Sequence, residues 1–169
     1  MWGIEKWYTK TEKSGGCILD LHVHDIDMAR FLLGEPEAVS CVAYDGITRW
    51  QVCNSRLFYK DLTVIATASW DESPTVPFSA GFRARFENAS VILNGSGLTV
   101  YPESGKAYQP ELPKANRMAE EIRKIAAMTA DHSIVSEANP PESAYQTVLL
   151  IEKLRESADQ GGKKLTYSL

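Results

Sequence analysis

Asp20 and His24 lie four residues apart, and Asp27 follows three later, within the run Gly15-Gly16-Cys17-Ile18-Leu19-Asp20-Leu21-His22-Val23-His24-Asp25-Ile26-Asp27. An imidazole beside a carboxylate is the side-chain pair suited to taking a proton from a hydroxyl near neutral pH. On a helix advancing about 100° per residue, Asp20, His24, Asp27 and Phe31 form one narrow stripe. Leu19, Val23 and Ile26 flank it on one side and Leu21, Met28 and Leu32 on the other. His22, Asp25 and Ala29 take the far side, which reads as the solvent face. Charged groups among aliphatic neighbours cost free energy unless each has a partner. Residues four apart on a helix can touch, so Asp20 is placed to orient the His24 ring or to share a ligand with it. The same spacing suits a buried structural pair of Asp27 with His24, and geometry alone leaves both readings open.

A metal site is a rival, because Asp20-Leu21-His22-Val23-His24 matches the DxHxH opening of metal-dependent hydrolases. That chemistry puts its two histidines on a strand, where residues two apart point the same way. Here the surrounding pattern is helical, and His132 is the one further histidine. The chain is also short for the roughly 250-residue barrel that carries such sites. Cys17 has no base partner nearby in sequence and reads as a small core residue. With Cys41 and Cys53 it makes an odd count of three with no CxxC pair, which argues against a disulfide framework or a zinc ribbon.

The elements that must hold these residues follow from periodicity and punctuation. The first 14 residues mix aromatic and charged side chains without a period, and Ser14-Gly15-Gly16 breaks the chain. A helix is expected from Ile18 to Leu33, stopped by Gly34 with Pro36 beyond. Strand texture begins at Val39. Val64, Ala66, Ala68 and Trp70 alternate with Ile65, Thr67 and Ser69, and Phe82, Ala84 and Phe86 alternate with Arg83 and Arg85. Glu87-Asn88 and Asn94-Gly95-Ser96-Gly97 are turns into Val91-Ile92-Leu93 and Leu98-Thr99-Val100-Tyr101, so the strands run as an antiparallel meander. Helical texture resumes near Ala115, with Met118, Ile122 and Ile125 at helix spacing. A last helix opens at Asn139-Pro140-Pro141-Glu142 and ends at Gly161-Gly162, with a short strand at Leu165-Thr166-Tyr167. The expectation is an α+β domain over residues 1–169: an open-faced, largely antiparallel sheet with helices on one face.

Composition narrows the function classes. At 169 residues, 44% hydrophobic and 24% charged, the chain has the makeup of one globular domain or one lobe of a larger enzyme. The net charge is -4 with no Lys/Arg block, which argues against nucleic acid as a partner. No apolar run approaches the roughly 20 residues that span a bilayer, and no secretory signal pattern opens the chain, so a cytoplasmic location is expected. No dinucleotide fingerprint is present: Gly95-Ser96-Gly97 lacks a third glycine and sits between strands.

The run from Gly15 to Gly34 resembles the opening of the second domain in the glucose–fructose oxidoreductase / inositol dehydrogenase family. That family carries GG-x-x-x-D-x-x-x-H-D-x-D on the domain's first helix, followed by an RxLLG-like end, here Arg30-Phe31-Leu32-Leu33-Gly34. The segments from Ala115 to Ile122 and from Pro140 to Gly161 resemble its last two helices. The resemblance implies a chain working with an N-terminal nucleotide-binding domain that is absent here. His24 would accept the hydroxyl proton as hydride leaves the adjacent carbon for NAD or NADP, and Asp20 would orient that base and bind the substrate hydroxyl. The substrate would be a sugar, a polyol or a related hydroxy compound. The family's usual lysine, in a Glu-Lys-Pro motif, belongs to the nucleotide half, and Glu5-Lys6-Trp7 does not replace it. No cofactor-binding or metal-binding residue is expected in this chain, which alone should be inert.

One departure stands out: the family commonly has a small residue, often glycine, two before the catalytic histidine, where this chain has His22. It is expected at the pocket rim, in reach of substrate. Asp27 is expected to brace the helix or to cap a neighbouring loop, and not to act in catalysis. The exposed sheet face, with Ile65, Thr67 and Ser69, is expected to pair with a second copy in a symmetric dimer. A non-catalytic ligand-binding or assembly module of the same fold is the alternative reading, with a metal-dependent hydrolase fragment behind both.

Overall fold

The computed structural model describes residues 4–113, 116–136 and 139–168. Ala115, where the helical pattern resumes, lies outside these. In chain order the elements are a 3-10 helix (Ile4–Thr9), α1 (Thr11–Ser14), α2 (Cys17–Asp20), α3 (His22–Leu33), β1 (Ala38–Tyr44), β2 (Val52–Phe58), β3 (Thr63–Ser69), β4 (Phe82–Arg85), β5 (Ala89–Asn94), β6 (Gly97–Pro102), α4 (Arg117–Ala130), α5 (Pro141–Asp159) and β7 (Leu165–Thr166). They fall into two compact units: Met1–Glu72 with Val135–Leu169, and Ser73–Ile134.

The first unit holds an antiparallel sheet in the order β3-β2-β1-β7. Alternation along each strand sorts its side chains onto two faces. Val39, Cys41, Cys53, Leu57 and Ala66 point inward and form one core with Ile18, Ile26, Leu150, Ile151 and Leu154 from α2, α3 and α5. Tyr44, Arg56, Ile65 and Thr67 lie on the open face, with Ile65 70% exposed. The alternation read along Val64–Trp70 is thus realised, with Ala66 and Ala68 buried. α5 starts with Pro141 in its first turn, where a missing amide costs nothing. α3 stops at Gly34, whose amide bonds the Arg30 carbonyl at 2.8 Å and whose φ is +77°.

The second unit carries the meander β4-β5-β6, also antiparallel. The Phe86 amide meets the Ala89 carbonyl at 2.7 Å across the Glu87-Asn88 turn. Asn94 pairs with Gly97 across the second turn, whose Ser96 amide bonds Asn94 Oδ1 at 2.9 Å. Asn116 caps α4, accepting the Ala119 amide at 3.2 Å. The class is α+β, with the strands shared between two sheets.

The single helix expected over Ile18–Leu33 is two helices. Leu21, at φ -112° and ψ -53°, stays in the right-handed region but interrupts the regular helix, and the His24 amide reaches back three residues, to the Leu21 carbonyl, at 3.2 Å. The aperiodic start also takes up structure, as a 3-10 helix and α1.

Candidate active site

The glycine pair before α2 forms a corner that the rest of the unit clamps. Gly15 and Gly16 have φ of +77° and +75°, open to glycine and strained for other residues. The Gly16 amide bonds Ser14 Oγ at 3.1 Å, and Arg155 of α5 donates to the Gly15 carbonyl at 2.6 Å. A Cβ on Gly16 would meet the Arg49 carbonyl oxygen at 2.3 Å. Trp50, the following residue, takes a positive φ of 52° and is held by its amide on Asp45 Oδ1 at 2.9 Å. Its ring lies between the guanidinium groups of Arg49 and Arg155, 4.3 and 4.7 Å from the ring centroid. Asp20 closes α2, one turn beyond this corner.

The face that α3 buries differs from the expected one. His22 is fully buried, with Ile26, Ala29 and Arg30 on the same side. The rim position expected for His22, in reach of substrate, is therefore corrected. Its Nδ1 lies 2.9 Å from Asp25 Oδ2 and its Nε2 2.8 Å from Ser55 Oγ on β2. An ionised carboxylate only accepts, so Nδ1 donates to Asp25, and in the neutral ring Nε2 accepts from the Ser55 hydroxyl. Serine, histidine and aspartate follow one another here as in a hydrolase triad, yet Ser55 is fully buried and so sealed from any substrate. The connectivity is structural.

Two residues on a helix are about 200° apart, so burying His22 turns His24 outward. Asp20, His24 and Phe31 are all exposed, and Asp27 is half-buried. Met28, Phe31 and Leu32 are 46, 66 and 60% exposed around them. Among the described residues neither the Asp20 nor the His24 side chain has a hydrogen-bonded partner. The strand required by the DxHxH reading is absent, and the two histidines face opposite ways.

Asp27 does not pair with His24. It accepts from Thr147 Oγ1 of α5 at 2.5 Å and lies 3.9 Å from Arg30 Nη1. Arg30 Nη1 donates to Thr147 Oγ1 at 2.5 Å and to the Ser143 carbonyl at 2.8 Å. Its Nε meets both Glu35 oxygens at 3.0 Å, and Nη2 also bonds Glu35. The Glu35 hydrogen bond raises the Arg30 pKa against the opposing cost of burial. This network ties α3 to α5 just behind the exposed stripe, which is the bracing expected of Asp27. Arg30, Glu35 and Thr147 escaped the sequence reading, because over a hundred residues separate Thr147 from α3.

The three cysteines are free and fully buried. Contact with Cys17, then with Cys41, and burial together push the Cys53 thiol upward. Cys17 is thus a core residue. Burial raises the Tyr59 phenol to about 12, with Glu35 adding to the shift, and Tyr59 Oη donates to the Gly34 carbonyl at 3.1 Å. No helix among the described residues is long and apolar enough to cross a membrane.

The family model of the GFO/IDH/MocA C-terminal domain matches residues 2–107. No curated protein matches the chain. Among solved structures, aldose-aldose oxidoreductase from Caulobacter crescentus, complexed with glycerol, superposes with a TM-score of 0.80 at 13% identity, over 99% of this chain and 52% of that one. Levoglucosan dehydrogenase, in complex with NADH and levoglucosan, gives 0.78 at 17% identity, over 97% and 54%. UDP-N-acetylglucosamine 3-dehydrogenase from Acidithiobacillus ferrooxidans gives 0.72 at 17%, over 90% and 50%. The chain spans about half the length of each, and identities this low carry the fold alone. The family model covers more than half of the sequence, including the glycine corner, Asp20 and His24, so the chain belongs to the GFO/IDH/MocA C-terminal domain family.

Proposed function

We propose that this chain is the substrate-binding and assembly half of an NAD- or NADP-dependent oxidoreductase acting on a sugar, a polyol or a related hydroxy compound. One observation carries the reading: an unpartnered carboxylate that closes α2 and an unpartnered imidazole on α3 are both exposed, as are Met28, Phe31 and Leu32 of α3. Apolar side chains this open favour a covering partner. A nucleotide-binding domain, accounting for the length that the solved relatives have beyond this chain, is the cover that brings a nicotinamide to His24. Two of those relatives are described with glycerol and with NADH and levoglucosan, which supports a hydroxyl-bearing substrate.

Gly95 and Ser96 form the turn between antiparallel strands, not a strand-to-helix corner. A bound nicotinamide supplies the hydride acceptor, and this chain supplies the proton chemistry. Asp20 and His24 hold the substrate hydroxyl, and His24 takes its proton as the carbinol carbon becomes a carbonyl. The Asp27–Thr147–Arg30 network fixes the helix beneath them. The three unpaired thiols fit a reducing, cytoplasmic setting.

The test is His24→Ala in the enzyme carrying both halves. Turnover falls by about 10²–10⁴, the usual worth of a positioned base, while the affinity for the nicotinamide cofactor is unchanged. Unchanged turnover, or equal losses of turnover and cofactor affinity, overturns the reading and favours a non-catalytic module. The open face of the first sheet, with Val42, Tyr44 and Ile65 exposed, forms the homodimer contact in the same proposal. A monomer in light scattering at high concentration rejects that part.

A further inference from the structure

His22, the residue before Val23 and His24, is the polar residue that α3 buries completely. We infer that His22 is a positioning residue: its ring pins the first turn of α3 to Ser55 and thereby sets the direction in which His24 projects. The inference rests on the proposed role of His24 as base.

Four observations carry it. The helical run breaks at Leu21, so the backbone bonds of α2 do not continue unbroken into α3, and the rotation of α3 must be fixed by its side chains. The one side-chain hydrogen bond in its first turn that reaches another element, among the described residues, is His22 Nε2 to Ser55 Oγ, at 2.8 Å. Ser55 is fully buried on β2, paired with Cys41 of β1 and Ala66 of β3, and so sits on an interior strand that cannot follow a rolling helix. Asp25 holds the other ring nitrogen at 2.9 Å, which fixes the ring plane within the same helical turn. The imidazole is locked at both nitrogens and enclosed on all sides. His24 lies two residues further on, across the helix from this pin.

The geometry makes a distinctive demand on mutants. His22→Leu fills the same space without either bond, and Ser55→Ala removes the anchor while leaving the ring. If the pin aims His24, either change lowers kcat in the two-domain enzyme on the order of 10- to 100-fold, as about 1 Å of misplacement does, with KM and cofactor affinity nearly unchanged. The double variant is no worse than the worse single one, because both remove the same link. His22→Gln, which can still meet Ser55, recovers part of the loss. Ile151→Val, a core change in α5 away from the pin, matches a loss of thermal stability without the loss of kcat.

His24→Ala separates the two claims. If it abolishes turnover while His22→Leu and Ser55→Ala keep wild-type kcat, the positioning role is wrong and the base stands. If His24→Ala is itself harmless, the underlying reading fails. Should the variants not fold, nitrogen-resolved NMR of the unaltered 169-residue chain still decides. A His22 Nδ1–H protected from water and coupled to Asp25 supports the pin, and a ring exchanging freely with solvent overturns it.

Discussion

Gly16 and Gly34 offer a matched pair for measuring what the glycine corner contributes. Both sit in nearly the same backbone region, with φ of +75° and ψ of 177° for Gly16 and φ of +77° and ψ of -159° for Gly34. An alanine at either position bears the same backbone strain, of order 1–3 kcal/mol. Their surroundings differ. A Cβ at Gly34 meets nothing within 4 Å, whereas at Gly16 it lies 2.3 Å from the Arg49 carbonyl oxygen. That oxygen cannot yield cheaply. The Arg49 amide is bonded to Thr11 Oγ1 at 2.9 Å, and the next residue, Trp50, is held by Asp45 and stacked between two arginines. Forced overpacking of this kind costs about 1–3 kcal/mol beyond the shared strain. Gly16→Ala is therefore expected to unfold roughly 2–12 °C below Gly34→Ala, taking about 2–4 °C per kcal/mol for a chain of this size. The tryptophans among the described residues, Trp7, Trp50 and Trp70, fall in the unit that contains the corner, so tryptophan fluorescence follows its unfolding. Equal midpoints for the two variants would refute the argument, because the carbonyl would then have given way freely.

Other outcomes follow from the same contacts. Arg30→Lys should destabilise by about 2–3 kcal/mol in urea titrations. This is less than the roughly 3–5 kcal/mol for a fully buried pair, because Glu35 and Asp27 keep about a third of their side-chain surface in water. A lysine that restores full stability would show that the planar fork is dispensable. Tyr59 is held protonated by burial, with its pKa raised from 10 to about 12. Its contribution is whole below pH 10 and is lost as pH rises through 12, so Tyr59→Phe should lose less stability over that window than the wild type. Identical losses would reject the assignment. Ile65→Lys, on the open face of edge strand β3 and paired across from Arg56, should convert the proposed dimer to a monomer in light scattering while leaving the melting of the monomer within about 0.5 kcal/mol, as for surface changes.

The parts of the fold that were legible in the sequence are those written by local rules. The period-two alternation of Val64–Trp70 and the turns at Glu87-Asn88 and Asn94–Gly97 are realised, as are the stop at Gly34 and the start of α5 at Pro141. That His24, Asp27 and Phe31 follow one another along one helix was also legible, but not which way they faced. Aliphatic residues flank them on both sides because α3 is covered by the sheet on one face and leaves Met28, Phe31 and Leu32 open on the other, so hydrophobicity does not distinguish the two. The deciding contact is His22 to Ser55, and 33 residues separate them. The break at Leu21 was hidden as well, because every residue around it is compatible with helix. Division of the strands into two sheets likewise depends on pairing that short-range pattern cannot specify.

The three thiols in the core have a practical consequence. Cys17, Cys41 and Cys53 arrive from α2, β1 and β2, and all are sealed from water. A thiol reagent can label them only when the interface between helix and sheet parts, so the labelling rate at low denaturant clocks the opening of that layer. Covering the exposed stripe with a ligand or partner should slow the clock, giving a ready readout of docking at Asp20 and His24 that needs no catalytic turnover.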